Sequence, residues 1–286
     1  METLRTIADL RRLRAGVPTG RRVGLVPTMG ALHEGHRSLL DAARAECDLV
    51  VMSLFVNPAQ FAAGEDLGAY PRNEAADLEL AQAAGVDVVF APAVAEIYPD
   101  GFSTSVVVRG VSEPLEGAAR GAGHFEGVAT VVTKLLNIVT PDVAYFGQKD
   151  AQQALVIRRL VADLDIPVRI AVCPTVREPD GLARSSRNAY LTAGERERAS
   201  ALLVALGRAA ELIAGGERDG ATATAAAREE LAARDVEPEY LEIVDPDTLA
   251  GVTTIAGPVL VAVAARIGRA RLIDNLIAAP TPTQER

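Results

Sequence analysis

Three features of the sequence predict an α/β fold: a doubly wound parallel sheet followed by a smaller α+β domain. Short apolar runs alternate with amphipathic stretches through about residue 175, the pattern of parallel βαβ units. Beyond that point Ala-rich helical stretches are followed by adjacent strand-like runs, which suits antiparallel pairing. Where the two patterns meet lies CPTVREPDGLARSSRN, residues 173–188, whose Pro, Gly and Ser content reads as a loop.

The first strand candidates are 23–26, 49–55, 86–90, 143–146 and 168–172, all of strand length. Between them, over 36–47, 72–84, 126–139 and 150–164, apolar residues recur at three- and four-residue intervals, the period of a helix face. In the second part 193–215 and 221–234 read as helices, and YLEIV (240–244), PVLVAVAARI (258–267) and RLID (271–274) as strands. A chain of 286 residues exceeds the usual size of one domain, so two are expected, 1–175 and 176–286.

Composition narrows the function classes. No apolar run reaches the ~20 residues of a membrane-spanning helix, and METLRTIADLRRLRAG lacks the apolar core of a signal peptide, so a cytoplasmic protein is expected. A net charge of −9 argues against general affinity for nucleic acid or anionic membrane and favours small-molecule partners. Cys47 and Cys173 have no metal-type spacing and read as buried thiols. Of 29 basic residues only Lys134 and Lys149 are lysines; codon bias explains the arginines, and a surviving lysine marks a place where a compact ammonium is needed.

The chemistry-bearing residues cluster behind the predicted strands, where ligands of such sheets sit. VPTMGALHEGH places two of the three histidines, His33 and His36, in the loop after the first strand candidate. A helix N-terminus there favours phosphate, and imidazoles add donors without a large permanent charge. Neither Gly-x-Gly-x-x-Gly nor a P-loop is present, and a three-residue histidine spacing is not that of a zinc helix. FGQKDAQQ (146–153) puts Lys149 behind another strand, and ARSSRN (183–188) offers hydroxyls and a guanidinium. Arg177, Arg184 and Arg187 stand against Glu178 and Asp180 in the loop. FVNPAQF (55–61) supplies Asn57 and Gln60, neutral groups able to orient a hydroxyl or carboxylate. Asp77 and other acidic residues remain open as metal contacts, since no spacing singles one out.

Taken in order, VPTMGALHEGH, FVNPAQF, AYPR, HFEGVATVVTKL, YFGQKDAQQ, PTVREPDGLARSSRN, YLEIVD and LIDN span essentially the whole chain. In this combination the sequence resembles the pantothenate synthetases, ligases of the His-x-Gly-His nucleotidyltransferase superfamily. The resemblance implies a Rossmann-like domain, a C-terminal domain closing over ATP, a homodimer, and use of ATP with Mg2+ to join (R)-pantoate to β-alanine. It implies that Met29, Gly30, Ala31, Leu32, His33, Glu34, Gly35 and His36 wrap ATP, with His36 the catalytic proton donor. Gly147, Gln148, Lys149, Asp150, Val176, Arg184, Ser185, Ser186 and Arg187 would complete the ATP site. Gln60 would touch pantoate and β-alanine, and Gln153 would bind pantoate. Relatives usually carry Met or Leu where this chain has Arg184, whose guanidinium is expected to lie over adenine or to turn outward.

The implied chemistry starts from a carboxylate already ionised at neutral pH, so the adenylation step requires charge stabilisation rather than a base. His33, His36, Lys149, Ser185, Ser186 and Arg187 are the expected donors. A nucleotidyltransferase acting on a phosphate ester would share the histidine loop but not FVNPAQF or KDAQQ. A transfer-RNA synthetase is disfavoured by the acidic charge. A non-catalytic nucleotide-binding module would bind ATP and release no pyrophosphate.

The rarity of lysine generates a test. Lys149→Arg should lower activity strongly, because a longer planar fork cannot replace an ammonium among phosphates, whereas Lys134→Arg should be nearly neutral. Steady-state rates of the two variants decide it, equal losses counting against a special role for Lys149.

Overall fold

The computed structural model describes residues 1–61, 67–68 and 70–281. Ala69 of the AYPR motif lies outside the described residues. The chain divides into two compact units, Met1–Pro174 and Thr175–Arg286.

The first unit runs β1 (Glu2–Leu4), α1 (Ile7–Ala15), β2 (Val23–Thr28), α2 (Glu34–Glu46), β3 (Leu49–Leu54), α3 (Glu74–Ala83) and β4 (Val88–Phe90). It continues through two short helices, α4 (Val94–Ile97) and α5 (Glu116–Arg120), to α6 (Gly123–Val139), β5 (Val143–Gly147), α7 (Ala151–Asp163) and β6 (Arg169–Cys173). The six strands form one parallel sheet in the order β1-β4-β3-β2-β5-β6. The edge strand β1 and helix α1 have no counterpart among the sequence-predicted elements, since ETL is too short and polar to carry an alternating signal.

Strand residues divide strictly by parity. Val23, Leu25, Val51, Val88, Phe90, Ala144 and Phe146 pack into one core, while Val26, Val50, Met52, Val89, Val143 and Tyr145 pack into another on the opposite face. Both faces are therefore covered by helices, which is why these strands read as unbroken apolar runs. From β2 the chain moves outward through β3 to β4, then returns to lay β5 on the other side of β2. The order reverses between β2 and β5, and there the sheet opens: the ladder joins Gly24 to Val143 and Leu25 to Ala144, yet both strands continue three residues further. The carboxyl ends of β2 and β5 thus flank a crevice at the topological switch point.

The second unit contains α8 (Ala193–Ala199), α9 (Ala201–Ala214), α10 (Gly220–Ala232), β7 (Pro238–Val244), β8 (Val259–Ile267) and β9 (Ala270–Ala278). Its sheet is antiparallel in the order β7-β8-β9. Leu202, Leu206, Ala209 and Ile213 of α9 and Ala223, Ala227 and Leu231 of α10 share a core with Val261, Val263 and Leu272 of the strands. Ser200 divides the single helix expected over 193–215 but keeps near-helical angles of −61° and −21°.

One close approach fixes the end of β3 against α6. A Cβ on Gly127 would lie 2.2 Å from the Ala59 carbonyl oxygen and 2.6 Å from the Gln60 nitrogen, both backbone atoms. Gly127→Ala should cost about 1–3 kcal/mol, the range for overpacking a filled core. Chemical denaturation measures this, and an unchanged midpoint would contradict the contact.

Candidate active site

The loop leaving β2 is shaped from below by a carboxylate. Thr28 Oγ1 donates to the Ser53 carbonyl (2.8 Å) and accepts from the Gly30 N–H (3.4 Å). Gly30 has φ +88° and Ala31 φ +51°, so two successive residues occupy left-handed backbone. A side chain on Gly30 would stand 2.9 Å from Asp77 Oδ2. Asp77, buried in the first turn of α3, accepts the Ala31 N–H (3.0 Å) and the Leu32 N–H (2.7 Å), one with each oxygen. The acidic residue left open as a metal contact thus holds backbone amides instead.

The two histidines then start the helix. His33 is the N-cap of α2, and its Nδ1 accepts the Gly35 N–H at 3.1 Å; His36 Nδ1 accepts the His33 N–H at 3.3 Å. This is a reciprocal capping box made of imidazoles in place of the usual hydroxyl and carboxyl. It also begins α2 two residues before the helix expected over 36–47. Because each Nδ1 accepts, the neutral rings carry their protons on Nε2. The ring centroids are 4.2 Å apart. Enclosure in the fold, then the neighbouring His33 and Lys149, push the His36 pKa down to about 3, against the raising effect of Asp150. His36 is therefore neutral at pH 7.

Lys149 and Asp150 come from the turn Gln148–Asp150 between β5 and α7. Their charged atoms lie 3.5 Å apart, with the lysine side chain 20% exposed. Both are near enough to His36 to act on its charge, Asp150 raising and Lys149 lowering its pKa.

Gln60 belongs to a one-turn helix, Pro58–Gln60, behind β3. Its Oε1 accepts from Asn57 Nδ2 (3.0 Å) and its Nε2 donates to Met29 Sδ (3.2 Å), tying it to the β2 loop. Asn57, buried, also donates to the Gly127 carbonyl and accepts from Tyr98 Oη (2.7 Å). The third histidine, His124, supports the same turn. Arg120 can only donate, so His124 Nε2 accepts from it (2.9 Å) and Nδ1–H donates to the Gln60 carbonyl (2.9 Å). The sequence alone singles out neither Arg120 nor His124 for this task; the sole signal is the HFEGV motif itself. The adjacent glutamines of α7 divide their duties: Gln152 is buried, donating to the Val111 and Pro114 carbonyls and accepting from Glu116 N, while Gln153 is partly exposed.

In the second unit the stretch expected as a loop is a hairpin. Arg177 bridges Ala183, the Arg184 N–H donates to the Val176 carbonyl (2.9 Å), and Gly181 N donates to the Glu178 carbonyl (2.8 Å). Arg177 makes a fork with buried Asp274 of the LIDN motif, at 2.6 and 3.0 Å. Ser185 caps the short helix Ser186–Tyr190, accepting from the Arg187 N–H at 3.3 Å. Arg184 has its guanidinium 3.2 Å from Glu178 Oε1. Its charge is therefore met within the hairpin rather than laid out for stacking.

Comparison with known proteins gives a consistent result. The family model described as pantoate-beta-alanine ligase matches residues 2–277. The pantothenate synthetase of Moorella thermoacetica is 54% identical over 279 residues, covering 97% of this chain and 98% of that protein. The crystal structure of the Thermus thermophilus enzyme superposes with a TM-score of 0.92 at 49% identity, covering 96% of this chain and 99% of that one. A Francisella tularensis pantoate-beta-alanine ligase, solved as a complex with beta-gamma ATP and beta-alanine, gives 0.81 at 34% identity over 97% of each chain. With motifs, fold and near-complete mutual coverage in agreement, this chain belongs to the pantoate–β-alanine ligase family.

Proposed function

We propose that the protein joins (R)-pantoate to β-alanine at the expense of ATP, through a pantoyl adenylate. The observation that carries the site assignment is the imidazole capping box: it engages Nδ1 of both rings and so leaves the proton on Nε2, at a helix N-terminus at the switch point and near Lys149. The ligand-bound relative from Francisella tularensis, with its beta-gamma ATP and beta-alanine, supports the same substrates here.

In the first step a pantoate carboxylate oxygen bonds to the α-phosphorus of ATP and the bond to the bridging oxygen breaks, releasing pyrophosphate. Charge grows on the phosphoryl oxygens, where His36, His33 and Lys149 serve as fixed donors. With its pKa near 3, His36 meets the phosphates at pH 7 as a neutral hydrogen-bond donor through Nε2–H. Ser185, Ser186 and Arg187 serve as the second unit's donor set for the polyphosphate, at the end of a turn that the Arg184 N–H closes on the Val176 carbonyl. In the second step the β-alanine amine attacks the acyl carbon, the bond to AMP breaks and the amine sheds a proton. Gln60, oriented by Asn57, and Gln153 supply neutral hydrogen bonds to pantoate.

Among the described residues no group of three or more His, Cys, Asp or Glu is placed to hold a metal ion. Magnesium is taken to enter with the substrate, as the magnesium salt of ATP. No helix among the described residues is long and apolar enough to cross a membrane. A cytoplasmic homodimer is the assembly we propose, to be checked by sedimentation.

Two measurements test this reading. Protein mixed with magnesium, ATP and pantoate should release pyrophosphate, and AMP should follow only when β-alanine is added; no pyrophosphate would reduce the protein to a nucleotide-binding module. His36→Ala should lower kcat/KM for adenylation by about 2–4 kcal/mol of transition-state stabilisation, and an unaltered value would remove His36 from the reaction.

The depressed pKa has its own consequence. An unfolded histidine takes its proton near pH 6.5, whereas folded His36 refuses it until about pH 3, so this group's stabilisation is full above 6.5 and is lost as pH falls through that window. Nitrogen-15 spectra should show the Nε2–H tautomer of His36 persisting below pH 6. An imidazolium signal at pH 6 would refute the assignment.

A further inference from the structure

Glu178 lies at the foot of the hairpin, with its side chain 9% exposed. One of its oxygens, Oε1, accepts from Asn188 Nδ2 at 2.7 Å and pairs with Arg184 Nη1 at 3.2 Å. Arg184 and Asn188 flank Ser185, Ser186 and Arg187, so this segment is an arch with both feet on a single carboxylate oxygen. Asn188 tightens the span further, donating to the Ala183 carbonyl (3.1 Å) and, from its backbone, to the Ser185 carbonyl (3.1 Å). Its own Oδ1 is buried and has no hydrogen-bond partner among the described residues. The amide is thus oriented by its donor side, toward Glu178. The other oxygen, Oε2, is taken by Arg196 of α8, which also bonds Asp180 (2.7 Å), a residue outside the arch. Burial pushes the Glu178 pKa up, but the Asn188 and Arg196 hydrogen bonds and the charges of Arg184 and Arg196 outweigh it and hold the group ionised.

We propose that Glu178 is the positioning residue for the Ser185-Ser186-Arg187 phosphate arch, fixing both of its ends through Arg184 and Asn188. The inference rests on the reading above that this arch takes the ATP phosphates. A glutamate that merely stabilised the unit would act through Arg196 as much as through the arch, and the two oxygens make these roles separable. In Glu178→Gln one amide face can still meet Asn188 or Arg196, not both, and the charge opposite Arg184 is gone.

The test compares Glu178→Gln with Arg196→Met, which removes the partner of Oε2 and of Asp180 but leaves both Oε1 contacts in place. Glu178→Gln should raise KM for ATP about tenfold while KM for pantoate stays within about twofold. Arg196→Met should lower the melting temperature comparably yet leave KM for ATP within about twofold. An unchanged KM for ATP in Glu178→Gln, or an equal rise in both variants, overturns the proposal. Should Glu178→Gln fail to fold, Glu178→Asp keeps the charge but shortens the reach and should give the same split; its absence is equally adverse. Arg187→Met separates the two levels of inference. If it alone impairs ATP use, the arch binds nucleotide and Glu178 does not position it; if it too leaves ATP use intact, the assignment of the arch to ATP fails.

Discussion

The chemistry of the first unit depends on β2 and β5 separating after Leu25 and Ala144. Up to that pair the strands satisfy each other's backbone groups. Beyond it they diverge, and the next residues of each, 29–36 and 148–151, are released into the crevice at the start of a helix. Two helix N-termini with their unmatched amides come from adjacent strands, an arrangement that attracts anions before any side chain is considered. Side chains then refine it. Asp77 sets the path of the chain, the capping box sets the imidazoles, and Lys149 adds the one full positive charge these loops contribute.

A second layer of residues makes no claim on substrate yet decides where the first layer stands. Asn57 and His124 grip the Gln60 turn from its side chain and its carbonyl, and Gly127 lets α6 come close enough for both. In the second unit Asp274 and Glu178 do the same for the hairpin. Each of these groups is buried and hydrogen-bonded, the condition under which a polar side chain confers geometry rather than instability.

Much of this is legible in the sequence, and the boundary has physical causes. The parallel sheet shows because strands buried on both faces must be apolar throughout, and His33, His36 and Lys149 show because they interrupt those runs where strands end. Asp77 is visible but ambiguous: a carboxylate that accepts two amides and one that binds a metal have the same letter, and only coordinates tell which atoms approach it. His124 and Glu178 act across 64 and 10 residues respectively, distances that no periodicity encodes. For Arg184 the sequence leaves stacking on adenine and an outward turn open: Glu178 and Asp180 are visible in the same loop, but nothing local says which of the loop's three arginines each carboxylate meets. β1 escapes notice for a simpler reason: an edge strand of three residues carries too little pattern to stand out.

The capping box has a further consequence. The lone pairs that hold the first turn of α2 together are the same lone pairs a proton would occupy on His33 and His36. Proton and helix are thus rival ligands for one pair of nitrogens. Acid would not simply add charge to a preformed pocket: it would fray the helix end and release its amides from their fixed direction. Loss of the capping box in acid is therefore a cooperative, conformational event, because each protonation removes a bond that the other ring's position depends on.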